Sequence, residues 1–373
     1  MAGIYIHIPF CKKACTYCDF HFSTTFEKYR RDLIDCLTIE LAQRKDYLPS
    51  TALESIYFGG GTPSLLSKEE LGLILKTITQ HYTISPSAEI TLEANPDDIT
   101  KEKCVLWKNA GINRLSIGVQ SFFQKDMDWM NRAHTTKDAV NALTLANEFG
   151  FSISLDLIYG LPSSTLDELR FNINEALRFQ PDHISAYCLT IEEKTVLASW
   201  VNKQKITPAN DEQQTEQFTE LVHTLKNNGY EQYEISNFAK AKKYAVHNSN
   251  YWKGKPYLGV GPSAHSFNTN SRQWNISNNS KYIDAIRNNQ NYFELEELSK
   301  KDQFNEYLLT GLRTIWGVDL IYLNSIIPLS SSFHKKVNEF VKSQSVIVEG
   351  EILKLTEQGK LIADYIASEM FEI

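Results

Sequence analysis

Through the first two-thirds of the chain, short runs of apolar, β-branched and aromatic residues alternate with longer stretches where apolar residues recur every three or four positions. The short runs predict strands at Ile4–Ile8, Ser55–Phe58, Glu89–Glu93, Arg114–Gly118, Ser152–Ile158 and His183–Leu189. The longer stretches predict helices over Phe26–Lys45, Lys68–His81, Lys101–Ala110, Thr136–Phe149 and Thr165–Phe179. Strands that alternate with helices in this way build parallel sheets. Six such units, with a further strand near Gln232–Ile235, predict an α/β fold, a partial or complete βα barrel over residues 1–237.

From about Lys300 the pattern changes. Helical periodicity over Phe304–Ile315, Asp319–Ile326 and Phe333–Lys342 precedes a hairpin through Val346–Val348 and Ile352–Leu355, then a last helix over Glu357–Met370. That order predicts a small winged-helix-like C-terminal domain over 300–373, with 238–299 as a connecting segment.

The chain has 373 residues, 42% of them hydrophobic, enough for one large core and a smaller one. A formal net charge of −7 gives no basic field for nucleic acid. From Lys300 to Ile373, eight Lys and Arg face ten Asp and Glu, so the C-terminal domain reads as a lid or docking element rather than a DNA binder. No signal-peptide pattern opens the chain, and no apolar stretch nears the ~20 residues of a membrane helix. Of six cysteines, Cys36, Cys104 and Cys188 are scattered, which does not suit a disulfide framework and places the chain in the reducing cytoplasm.

The other three stand together. Cys11, Cys15 and Cys18 are spaced C-x3-C-x2-C directly after the first strand. Thiolates suit iron–sulfur clusters, and a four-iron cluster held by three of them keeps one iron open to an exogenous molecule. The same cysteines with His21 or His7 would make a closed Cys3His zinc site. Both readings stay open on these residues alone.

Further polar residues fall at the ends of the predicted strands, where barrel ligands gather. They are Gly59-Gly60-Gly61-Thr62-Pro63, Glu93, Gln120, Arg132 and Asp156. Each has an ordinary explanation: a tight turn, a helix cap, a loop tie or a surface ion pair. Asp156 is the exception, because it sits between apolar neighbours in a buried-looking strand and needs a partner there.

These runs carry a resemblance. Tyr5-Ile6-His7-Ile8-Pro9-Phe10-Cys11, Phe58-Gly59-Gly60-Gly61-Thr62-Pro63, Gly118-Val119-Gln120-Ser121-Phe122 and Asp156-Leu157-Ile158-Tyr159-Gly160-Leu161-Pro162 resemble the radical S-adenosylmethionine (SAM) family of oxygen-independent coproporphyrinogen III oxidases. Within that family the chain most resembles the heme chaperone (HemW) branch. The resemblance implies a [4Fe-4S] cluster on Cys11, Cys15 and Cys18, with SAM on the fourth iron. It implies Gly60, Gly61 and Thr62 at SAM's methionine end, Glu93, Gln120, Arg132 and Asp156 around its polar groups, and Tyr5 and Tyr17 at its edge. Thr190 and His265 fall near further family contacts.

Two features depart from the oxidase pattern. Phe20 stands where that pattern has a fourth cysteine, and only ten residues precede Cys11, where the oxidase has an N-terminal extension. A second motif, His247-Asn248-Ser249-Asn250-Tyr251-Trp252, points toward heme, because imidazole is a good axial ligand and aromatic rings can flank a porphyrin. A lone histidine among aromatics is ordinarily a packing residue. The pattern resembles one in the chaperone branch, which implies His247 as a heme contact and a heme-acceptor protein as partner. The alternative is the oxidase reaction, which requires an electron donor and SAM cleavage.

Overall fold

The computed structural model describes residues 2–372. Its first strand, β1 (Ala2–Ile8), turns Ile4, Ile6 and Ile8 onto a fully buried apolar face. Parallel to it run β2 (Ala52–Gly60), β3 (Thr83–Ala94), β4 (Arg114–Gln120), β5 (Ser152–Tyr159) and β6 (His183–Cys188). Between them lie α1 (Arg30–Gln43), α2 (Lys68–His81), α3 (Lys101–Asn109), α4 (Gln124–Trp129), α5 (Thr136–Glu148) and α6 (Leu166–Arg178). Capping boxes start three of these helices, at Ser67 with Glu70, Thr135 with Asp138 and Thr165 with Glu168. Helix α1 starts at Arg30 rather than Phe26, because Phe26 is drawn out of the helix to stack on Phe10 at 4.5 Å.

The other face of each strand is the interior of a partial barrel, and it is polar. The register aligns Gly3 with Ser55 and Ser55 with Glu89 in one layer, then Tyr5 with Tyr57 and Tyr57 with Thr91 in the next. His7 pairs with Gly59 above them, and Glu93 pairs with Ser116. Strand alternation thus separates an apolar shell under the helices from a lined chamber.

After β6 come α7 (Val196–Asn202), α8 (Asp211–Asn227) and a hairpin of β7 (Tyr230–Glu234) and β8 (Asn237–Lys240), with β8 antiparallel to β6. The strand predicted near Gln232–Ile235 is therefore one arm of a hairpin. Its tight turn is fixed by Glu234 Oε2, which accepts from Ser236 N at 3.0 Å and Asn237 Nδ2 at 2.6 Å.

The chain then passes through α9 (Val246–Trp252) to β9 (Tyr257–Val260), which joins β1 in parallel on its free side. An antiparallel run of β10 (His265–Phe267), β11 (Ser271–Asn275) and, after α10 (Asn279–Arg287), β12 (Phe293–Glu297) completes a sheet of twelve strands. Residues 238–299 thus belong to the sheet as well as connecting its ends. A buried charge network ties this side to α1. Glu40 accepts from Asn275 Nδ2 at 2.8 Å, Gly261 N at 2.8 Å, Tyr282 OH at 2.5 Å and Arg44 Nη1 at 3.1 Å.

The C-terminal elements are α11 (Lys300–Leu312), β13 (Val318–Asp319), α12 (Leu320–Ile326), α13 (Ser331–Lys342), β14 (Val346–Glu349), β15 (Ile352–Leu355) and α14 (Ala363–Glu369). They enclose their own core around Phe304, Leu308, Val318, Leu323, Leu353 and Ile366. This unit packs on the barrel through reciprocal cation–π contacts, Lys253 Nζ 3.7 Å from the Trp316 ring and Arg313 5.3 Å from Trp252. Among the described residues, no helix is long and apolar enough to cross a membrane.

Candidate functional site

The cysteine loop leaves the C-terminal end of β1 and is held from several sides. Cys11 N donates to Ser23 O at 3.0 Å, Thr16 N to Met130 O at 3.1 Å and Leu197 N to Thr16 O at 2.9 Å. Lys12, between the first two cysteines, reaches Asp97 at 2.7 Å and also contacts Asp98. Two neighbours point at sulfur itself: Thr62 Oγ1 lies 3.5 Å from Cys11 Sγ, and Arg132 Nη1 lies 3.5 Å from Cys15 Sγ. Burial pushes the Cys11 thiol up and that of Cys18 up to about 12, so metal binding displaces protons.

The donor set fits an iron–sulfur cluster better than zinc. His21 Nε2 is engaged with Asn279 Oδ1 at 2.7 Å, and His7 Nε2 with His21 O at 2.8 Å. Among the described residues, no three His, Cys, Asp or Glu side chains converge as they would around one ion. A cluster spreads its thiolates over separate irons and makes no such demand.

The turn after β2 is built for close approach. Gly60 has φ +107°, and a Cβ on Gly61 would lie 2.7 Å from Phe10 O and 2.8 Å from Ile8 O. The glycines therefore seat this turn directly on the root of the cysteine loop. Gly60 N donates to Glu93 Oε2 at 3.1 Å, while Tyr57 OH donates to Glu93 Oε1 at 2.8 Å. Asp156, one strand beyond β4, accepts weakly from Ser116 Oγ at 3.3 Å. Burial raises Glu93 to about 7 and Asp156 to about 6. Gln120 ends β4 with φ 69°, a left-handed position that is costly for a residue with a side chain.

Arg132 links these parts. Its Nη2 donates to Gly118 O and Asn95 Oδ1, both at 2.9 Å, and its Nη1 lies 3.4 Å from Tyr17 OH. Its Nε is buried with no partner among the described residues. The structure thus gathers Cys11, Cys15, Cys18, Tyr17, Gly60, Gly61, Thr62, Glu93, Gln120, Arg132 and Asp156 at one end of the barrel. Tyr5 stands deeper, with its hydroxyl 3.2 Å from His7 Nδ1. Thr190 is exposed just beyond β6, and His265 is exposed on β10.

His247 lies elsewhere. It begins α9 at the opposite end of the barrel, where the strands start. Its Nδ1 is 2.9 Å from Ser55 Oγ, and the backbone N–H groups of Val246 and His247 donate to Glu89 at 2.9 and 3.0 Å. Tyr57 packs on its ring at a centroid distance of 5.1 Å. Burial lowers its pKa to about 4, so the imidazole is neutral at ordinary pH. A small cleft with about 20 Å³ of room opens beside it, lined by Gly3, Ser55, Asn250, Tyr251 and Lys255 among others. Five strand steps separate Gly3 from Ile8, or ~17 Å between the two ends.

The motif's two aromatics serve different partners. Tyr251 lines the cleft and is 44% exposed, whereas Trp252 meets Arg313 of the C-terminal domain. Sequence reasoning missed Ser55, Glu89, Asn95 and Lys12. The first two had a signal, since they are polar residues at alternating positions in otherwise apolar strands. Asn95 and Lys12 had none, because only the folded loop brings them to their partners.

The profile described as the radical SAM superfamily matches residues 5–175. The chain is 35% identical to the heme chaperone HemW of Bacillus subtilis, over 98% of this chain and 97% of that one. It is 34% identical to the heme chaperone HemW of Haemophilus influenzae, over 96% and 95%. Its fold is similar to coproporphyrinogen III oxidase (HemN) from Escherichia coli, a radical SAM enzyme, with a TM-score of 0.86, coverage of 99% and 90%, and 23% identity. At that identity the last likeness speaks for the fold alone.

Proposed function

The chain belongs to the radical SAM superfamily and, within it, to the heme chaperone HemW family, and from that premise we propose that it binds heme and delivers it to an acceptor protein. Full-length likeness to heme chaperones, at 35% and 34% identity, is the observation that carries this reading. We assign the [4Fe-4S] cluster to Cys11, Cys15 and Cys18, with SAM held near Gly60, Gly61, Thr62, Glu93, Gln120, Arg132 and Asp156, and Tyr5 and Tyr17 alongside. When bound, a reduced cluster supplies one electron at a time. The loop contacts of Lys12 and the Arg132 guanidinium hold the cysteine loop in place for it.

Heme is assigned to His247. His247 Nδ1 lies 2.9 Å from Ser55 Oγ; with Nδ1 donating, that contact would fix ring orientation and tautomer and leave Nε2 as the nitrogen that would hold the iron. Glu89 fixes the backbone that carries the ring.

The test is transfer. Heme-loaded protein mixed with an excess of heme-free myoglobin should pass its heme on faster than heme is lost to solvent, read from the Soret band. Transfer at the solvent-loss rate would contradict the reading.

The oxidase reaction is the second reading, favoured by the complete ring of polar residues at the cysteine end. Phe20, 67% exposed where the oxidase pattern has cysteine, stands against it. Anaerobic incubation with SAM, a strong reductant and coproporphyrinogen III is expected to give no vinyl product.

SAM binding should depend on pH. The raised carboxyls of Glu93 and Asp156 favour the protonated folded state, so their contribution to the stability of the SAM-free protein is full below about pH 4 and is lost between there and about pH 6 to 7. A cationic ligand prefers them ionised. SAM should therefore bind about tenfold more weakly at pH 6 than at pH 8, and Glu93→Gln should flatten most of that slope. Anaerobic calorimetry on reconstituted protein reads both.

A further inference from the structure

We propose that Lys255 recognises a carboxylate of the ligand bound at His247, so that the cleft selects metalloporphyrins with free propionates. The inference rests on the reading that His247 takes the iron.

Residues 240–255 carry five lysines and no acidic residue, in a chain whose net charge is −7. Three of the five are committed away from the cleft. Lys240 lies over Tyr230 at 4.9 Å, Lys243 pairs with Asp182 at 2.6 Å, and Lys253 lies over Trp316 at 3.7 Å. Lys255 lines the cleft together with His247 and Tyr251.

The cleft has only about 20 Å³ of room for a water-sized molecule, far below the ~300–1,000 Å³ of pockets that enclose a drug-sized ligand. A porphyrin held by His247 therefore lies across the opening rather than inside it. Tyr251, 44% exposed, offers a ring for the apolar macrocycle. The macrocycle's charged edge must then meet the rim, and Lys255 stands there with its side chain 40% exposed.

Lys255 now holds Glu54 at 2.8 Å. Glu54 is the less open partner, its side chain 20% exposed, but an ammonium has three donors. A ligand carboxylate can therefore share the ammonium with Glu54 rather than displace it. Glu54 is thereby a competitor, which gives the proposal two variants of opposite effect.

The test is an anaerobic titration with hemin and with hemin dimethyl ester, followed through the Soret band. Wild type should bind the free acid about tenfold or more tightly than the ester, as one charge-assisted contact provides. Lys255→Met should erase that preference by weakening the acid alone, Lys255→Arg should keep it, and Glu54→Gln should widen it. Equal binding of acid and ester by wild type, or equal loss of both in Lys255→Met, would overturn the proposal. His247→Ala separates the two layers. If it weakens both ligands while Lys255→Met does nothing, only the Lys255 assignment fails; if it weakens neither, the placement of heme fails with it.

Discussion

Serine at Cys11, Cys15 or Cys18 should strip the reconstituted protein of iron and acid-labile sulfide, yet leave its heme affinity within about twofold of wild type. The first half follows from the loop's economy: a cluster already short of one protein ligand does not tolerate losing another. The second half follows from geometry. His247 is anchored by Ser55, Glu89 and Tyr57, residues of the chamber rather than of the cysteine loop. Only Tyr57 also reaches the cysteine end, through its hydrogen bond to Glu93 at 2.8 Å, and that bond does not involve the metal. Iron and sulfide per chain, measured beside a heme titration, read both halves. Parallel loss of heme binding in the serine variants would mean that heme sits at the cysteine end, or that the barrel itself depends on the cluster.

Glu40→Ala should cost about 3–5 kcal/mol of stability, the range for breaking a buried ion pair from one side. Glu40 is fully buried and Arg44 is 7% exposed. Removing the carboxylate leaves the guanidinium with neutral acceptors only, Gly259 O, Ser266 and Gln273, and orphans donors on Gly261, Asn275 and Tyr282. These groups belong to three segments that reach α1 from far along the chain, so the loss is felt where β9 to β11 close against the barrel. Asp32→Ala is the matched control. Its pair with Arg287 is exposed at 40% and 47%, and its loss should cost no more than ~1 kcal/mol. Urea unfolding compares the two, and equal costs would show that the network adds nothing beyond surface pairing. Replacing Glu40 and Arg44 together with apolar residues should recover part of the loss.

The parallel strands were legible because each is an apolar run between helix-period segments, with caps such as Ser67 and Thr165 marking the boundaries. The same alternation marks the polar chamber, where Asp156 stands out because apolar residues flank it on both sides. Strand β9 was not legible. Tyr257–Val260 is four residues between a proline and a glycine, and nothing local says that it pairs with β1 some 250 positions earlier. The glycines after β2 were visible as glycines, but their reason was only half visible. Gly61 is small because Phe10 and Ile8 crowd it, a packing cause that brings the turn to the cysteine loop. His247 was identified by its motif, while its distance from the cysteines was not, because motif order along a chain does not fix the end of a barrel at which each motif emerges.

The central claim is that heme binds at His247, at the end of the barrel opposite the cluster. An anaerobic heme titration of cluster-reconstituted wild type and His247→Ala, followed through the Soret band, tests it most directly. Saturation near one heme per chain, weakened tenfold or more in the variant, is the predicted result; weak, non-saturating binding that is the same in both proteins would contradict it.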